Sequence, residues 1–114
     1  MMPDGLRQHE VRPPARLHRG VQPGAHYPGE CFRRCVDYVL ANGDVPGVVM
    51  VDGLVNGEGG RIRHAWVELP GGLVFDGVMQ AFFDASGYYD FLDAVTVKRY
   101  SPLATMHLLM NPET

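Results

Sequence analysis

The sequence predicts an α+β fold, with an N-terminal helix packed on a small antiparallel sheet. Three observations carry this. Residues 30–41, ECFRRCVDYVLA, space their apolar positions as a helix does. The runs that follow are short, rich in β-branched and aromatic residues, and separated by Gly- and Pro-containing turns. Fourteen glycines and nine prolines in 114 residues leave room only for short elements joined by tight loops.

Residues 1–28 read as a Pro- and Arg-rich arm, partly extended. Pro3, Pro13, Pro14, Pro23 and Pro28 punctuate it, and it has no sustained apolar period. A single domain is expected over 29–114. In its helix, Phe32, Val36, Val39 and Leu40 form the apolar stripe, and Asn42-Gly43 is the stop signal. Residues 47–55 read as a strand and 56–60 as a turn. Residues 61–69 alternate. Ile62, His64, Trp66 and Glu68 point to one face, and Arg63, Ala65, Val67 and Leu69 to the other. Pro70-Gly71-Gly72 reverses the chain into a return strand at 73–76. The segment 78–92 is ambiguous, with a short helix at VMQAFFDA and loop or turn at SGYYDFLD as its readings. Its aromatics, Phe82, Phe83, Tyr88, Tyr89 and Phe91, are expected as core cover. Residues 95–100 form a strand by β-branching. Pro102 breaks it, and 103–110 close the chain as a short helix or strand.

Length and composition narrow the function. A chain of 114 residues fits one domain and excludes a large multidomain enzyme. Residues 1–34 carry six arginines against three acids, whereas 35–114 carry four basic residues against ten acids. The overall charge of −3 argues against a nucleic-acid binder. No stretch approaches the ~18 apolar residues of a membrane span, and no apolar signal segment opens the chain. Two cysteines, four apart, do not make a disulfide scaffold, so a reduced, cytoplasmic protein is expected. The arm and the high glycine content permit a homodimer.

Cys31 falls in the first turn of the expected helix. Unpaired backbone N–H groups and the helix dipole favour an anion there, either a thiolate or the oxyanion of an acyl-transfer intermediate. Cys35, one turn on, is expected in the core. His64 and Asp76 flank the 70–72 reversal. If the hairpin register sets Trp66 opposite Asp76, then His64 and Asp76 are diagonal neighbours on one face, and Trp66 shields them from water. A carboxylate there binds one imidazole nitrogen and leaves the other for a thiol. A shift of one residue would undo this. A zinc site of Cys31, Cys35, His64 and Asp76 is the competing arrangement. It is disfavoured because the cysteine pair sits within a helix and not on a knuckle turn. No metal or organic cofactor is therefore expected.

The stretches G-E-C-F at 29–32, H-A-W-V-E at 64–68 and V-F-D at 74–76 resemble the papain-like superfamily in its small, transglutaminase-core form. They are similar to the leader-peptide-cleaving proteins of lasso-peptide pathways. The resemblance covers about residues 29–77. It implies a papain-like core, with Cys31 as nucleophile, His64 as base and Asp76 as orienting acid. It also implies a thiol-dependent hydrolase or acyltransferase (peptidase, deamidase or transglutaminase-like) acting on a peptide or protein. Two departures stand out: Asp76 is followed by Gly77 where many such proteins have proline, and the candidate oxyanion donor, Gln22, lies nine residues before Cys31 and serves only if the arm folds back. Trp66 is the other candidate substrate contact. The alternative class is a non-catalytic binding or accessory module, of a phage, mobile element or pathway, that keeps the fold.

Overall fold

The computed structural model describes residues 3–110. Among them the chain forms four α-helices, a 3-10 turn at Ala15–His18 and one five-stranded antiparallel sheet. The helices are α1 (Asp4–Arg7), α2 (Cys31–Asn42), α3 (Ala85–Leu92) and α4 (Pro102–Met110). The strands are β1 (Val49–Gly57), β2 (Gly60–Leu69), β3 (Leu73–Asp76), β4 (Ala81–Asp84) and β5 (Val95–Tyr100), in the order β4-β3-β2-β1-β5. No helix among the described residues is long and apolar enough to cross a membrane.

Alternation along β2 divides the core between the two faces of the sheet. Ala65, Val67 and Leu69 join Cys35, Tyr38 and Val39 of α2 in one apolar cluster. Trp66 points the other way, into a second cluster with Val51, Val74, Phe83 and Tyr88. The sheet is thus covered on both sides, by α2 and α4 on one face and by α3 and α1 on the other. Neighbouring phenylalanines of β4 obey the same period, Phe82 in the first cluster and Phe83 in the second.

Residues 3–28, expected as a partly extended arm, pack back on the domain. Leu6 and Leu17 are isolated apolar residues between prolines and arginines, yet both are fully buried. Glu10 bridges to Phe83, and the Val11 N–H donates to the Phe82 carbonyl at 2.9 Å. This segment therefore covers the open edge of β4, which would otherwise present unpaired backbone groups. Local composition hid it because two buried leucines leave no periodic trace.

Three further expectations change. On α2, Val39 of the expected stripe is buried and Phe32 and Val36 pack partly buried against the same cluster, but Leu40 stands exposed, and Cys35, Tyr38 and Asn42 are buried in addition. Tyr38 anchors this face. Its ring stacks on Phe75 with centroids 4.2 Å apart, and its hydroxyl donates to the buried Leu17 carbonyl at 2.7 Å. Residues 81–84 are a strand and not part of a helix, because Phe82 and Phe83 feed opposite faces of the sheet. The SGYYDFLD segment is largely helix α3, started by Asp84, whose carboxylate accepts from the Gly87 N–H at 2.6 Å as an N-cap.

Candidate active site

Helix α2 begins at Cys31, preceded by Glu30, whose side chain does not cap it. The first backbone N–H groups of α2 therefore receive no bond from the residue before the helix. The Cys31 thiol is half-buried at this end, and the Cys35 thiol is fully buried one turn later.

The hairpin register is the one that makes His64 and Asp76 neighbours. Val67 pairs with Phe75 and Glu68 with Val74. One further step sets Trp66 opposite Asp76, and His64 reaches diagonally across the end of β3. The His64 Nε2 lies 2.9 Å from Asp76 Oδ2. That fixes the ring and leaves Nδ1 as the nitrogen available to a thiol.

Asp76 has no solvent exposure, and four donors satisfy it. Oδ2 accepts from His64 and from the Tyr88 hydroxyl at 2.6 Å. Oδ1 accepts from the backbone N–H groups of Val78 at 2.9 Å and Met79 at 3.1 Å. Burial alone would raise its pKa, but hydrogen bonds from His64, Tyr88 and Met79 and the charge of His64 hold it below the usual carboxylate value.

Electrostatics link the three side chains. Burial disfavours the charged His64 ring. Hydrogen bonding and attraction from Asp76 and Cys31 outweigh that and push its pKa up to about 10. Burial likewise raises the Cys31 thiol, but His64, together with backbone N–H groups of Ala65 and Phe32, brings it below the ordinary value. A thiolate–imidazolium pair is thus favoured. Cys35 goes the other way. Burial, with the charges of Asp76 and Cys31, pushes its thiol well up.

Two glycines admit this packing. A Cβ on Gly77 would stand 2.6 Å from Arg34 Cβ and 3.1 Å from the Arg34 carbonyl carbon. The residue after Asp76 therefore lies directly against α2, and a proline ring there would meet the helix. Gly53, opposite His64 in the β1–β2 pairing, leaves space for the Trp66 ring, whose Cη2 would be 2.5 Å from a Cβ.

The other two expected contacts lie outside the Cys31–His64–Asp76 set. The Gln22 N–H donates to Gln80 Oε1 at 2.8 Å, and its side-chain oxygen accepts from Tyr27. Trp66 is fully buried, with its ring 6.1 Å from that of His64 and its Nε1 donating to the Tyr89 hydroxyl at 3.0 Å. It backs the histidine and presents nothing to a substrate. Sequence reasoning missed Tyr88 as a partner of Asp76. The signal was available in the Asp84 cap, which starts α3 and brings Tyr88 onto the sheet.

No group of three or more His, Cys, Asp or Glu side chains placed to hold a metal ion occurs among the described residues. No protein-family model matches the chain, and no curated protein or solved structure matches it.

Proposed function

We propose that the protein is a small thiol enzyme of the papain-like, transglutaminase-core kind, acting on an amide or ester of a peptide or protein through Cys31, His64 and Asp76. The observation that carries the proposal is the 2.9 Å contact between His64 Nε2 and the buried Asp76 carboxylate, beside a thiol at the start of a helix. Its support is the arrangement of nucleophile on a helix start, with base and acid on adjacent antiparallel strands.

The Cys31 thiolate attacks the carbonyl carbon. Negative charge develops on the carbonyl oxygen, where N–H groups opening α2 can donate to it. The His64 imidazolium gives its proton to the departing amine or alcohol as the tetrahedral intermediate collapses to an acyl-thioester. Neutral His64 then removes a proton from the incoming water or amine, which displaces the Cys31 thiolate and releases the product. Asp76 holds the ring throughout and compensates its positive charge. The chemistry requires reduced Cys31, which fits a reducing compartment such as the cytoplasm.

The test is acyl transfer from an activated ester. Incubation with p-nitrophenyl butyrate should release p-nitrophenol in a burst and add one butyryl group to Cys31, located by peptide mass spectrometry. Added methylamine or hydroxylamine should accelerate turnover if the second step is acyl transfer, and leave it unchanged if water is the acceptor. A burst no larger than that of Cys31→Ala would refute the enzyme and favour the non-catalytic binding module.

A further inference from the structure

The Asp76 carboxylate, at the end of β3, has all its lone-pair sites taken. Backbone N–H groups of Val78 and Met79 fill those of Oδ1, and His64 and Tyr88 share Oδ2. The Tyr88 contact is the shorter of the two on Oδ2, 2.6 Å against 2.9 Å, and has the length of a charge-assisted O–H···O⁻ bond. Tyr88 and Asp76 are both fully buried. The Tyr88 ring packs on Trp66 and Phe83, with centroids 5.8 and 5.5 Å away, so packing holds the hydroxyl at the carboxylate. A buried tyrosine needs an acceptor, but a neutral carbonyl suffices: Tyr38 of α2 uses that of Leu17. Tyr88 instead uses the oxygen through which Asp76 acts on His64. Each donor stabilises charge on that oxygen, so what Tyr88 takes is withheld from His64.

We infer that Tyr88 is a positioning residue that tempers the Asp76–His64 pair: its hydroxyl holds part of the carboxylate's charge, so the His64 imidazolium stays acidic enough to give its proton to the leaving group. The inference rests on the reading of His64 as acid and base for Cys31, and it adds how the strength of that acid is set. The other titratable side chains facing the pair are Cys31 and Cys35 from α2, and His26, which borders the same recess as His64 and Asp76. Tyr89, next to Tyr88 on α3, is turned to Glu68 and Trp66.

The experiment is a histidine NMR titration of three full-length proteins that all carry Cys31→Ala. One keeps Tyr88, one has Tyr88→Phe, and one has 3-fluorotyrosine at position 88, a stronger donor of nearly the same shape. Cys31→Ala removes the thiolate from His64, and Cys35, His26 and Tyr89 are the same in all three, so the differences report the hydroxyl alone. Burial and the Asp76 charge hold the Tyr88 phenol well above its usual value, so it keeps its proton while His64 titrates. Tyr88→Phe should raise the His64 midpoint by about half a unit to one unit, and fluorotyrosine should lower it. A tyrosine that only anchors α3 would leave the midpoint unmoved, and one that only orients the carboxylate would lower it in Tyr88→Phe. Either result overturns the inference. Should Tyr88→Phe not fold, an unmoved or raised midpoint with fluorotyrosine overturns it. With Cys31 restored, acyl transfer from phenyl butyrate should slow severalfold more in Tyr88→Phe than transfer from p-nitrophenyl butyrate, because the poorer leaving group depends more on the His64 proton. Equal slowing also overturns the inference. The titration needs no reactive thiol, so the two readings fail separately. The expected shifts in a protein that transfers neither acyl group refute the enzyme reading alone, and acyl transfer without the shifts refutes the role of Tyr88 alone.

Discussion

Cys31 and Cys35 stand one helical turn apart on α2, yet their thiols are driven in opposite directions. Both experience burial, which disfavours a thiolate. Cys31 has His64 beside it and accepts from the backbone N–H groups of Ala65 and Phe32, and these overcome the penalty. Cys35 lies in the apolar cluster with Tyr38 and Val67, and the nearby charges of Asp76 and Cys31 add to the penalty. The contrast teaches that position along a helix decides reactivity less than the partner found there. A thiol needs a cation within reach, and Cys31, in the first turn of α2, has the His64 ring of β2 beside it.

Removing the cation breaks the contrast most. In His64→Ala, Cys31 should return toward the ordinary thiol range near 8.5, and its iodoacetamide rate at pH 6 should fall on the order of ten- to hundredfold. Cys35 should stay unreactive in both proteins until they unfold.

Charge removal at constant shape comes next. Asp76→Asn should bring His64 down from about 10 and weaken its grip on the thiolate, visible in a histidine NMR titration. It also changes how stability depends on pH. The folded His64 binds its proton more tightly than the unfolded ring, so its contribution is fully present below about 6.5 and is lost as pH rises through about 10. Asp76, held low when folded, contributes above the ordinary carboxylate value and loses that contribution as pH falls through its folded one. Urea melts of the Asn variant should show a flatter pH profile on both sides.

Steric change sharpens the comparison. Gly77→Ala forces a methyl into the backbone of α2 near Arg34 and should cost about 1–3 kcal/mol in chemical denaturation. Because it parts the end of β3 from α2, it should also slow Cys31 alkylation. The smallest effect is expected from Cys35→Ala. It leaves a small cavity worth about 1 kcal/mol and should keep the fast reaction at Cys31.

Much of the site was legible in the sequence, and the reasons are local. The alternation of 61–69 separates His64 and Trp66 from Ala65 and Val67, and the tight 70–72 reversal constrains the register that brings Asp76 to His64. The illegible parts depend on distant contacts. Leu6 and Leu17 become core because the sheet edge at β4 needs cover. Tyr38 joins the buried face of α2 because Phe75 and the Leu17 carbonyl lie beneath it. Gln80 adopts a left-handed backbone conformation with φ of 49° and takes the Gln22 N–H, a role no spacing rule reveals. Gly77 acquires its meaning only when α2 is seen pressed against it.

The central claim is that His64 ionises Cys31. The direct measurement is the iodoacetamide rate at Cys31 from pH 4 to 10, for the unaltered protein and for His64→Ala, with each site resolved by peptide mass. The expected result is a reactive plateau that begins well below the ordinary thiol value of about 8.5 and moves up to it in the variant. Superimposable curves, both rising only near that value, would contradict the account.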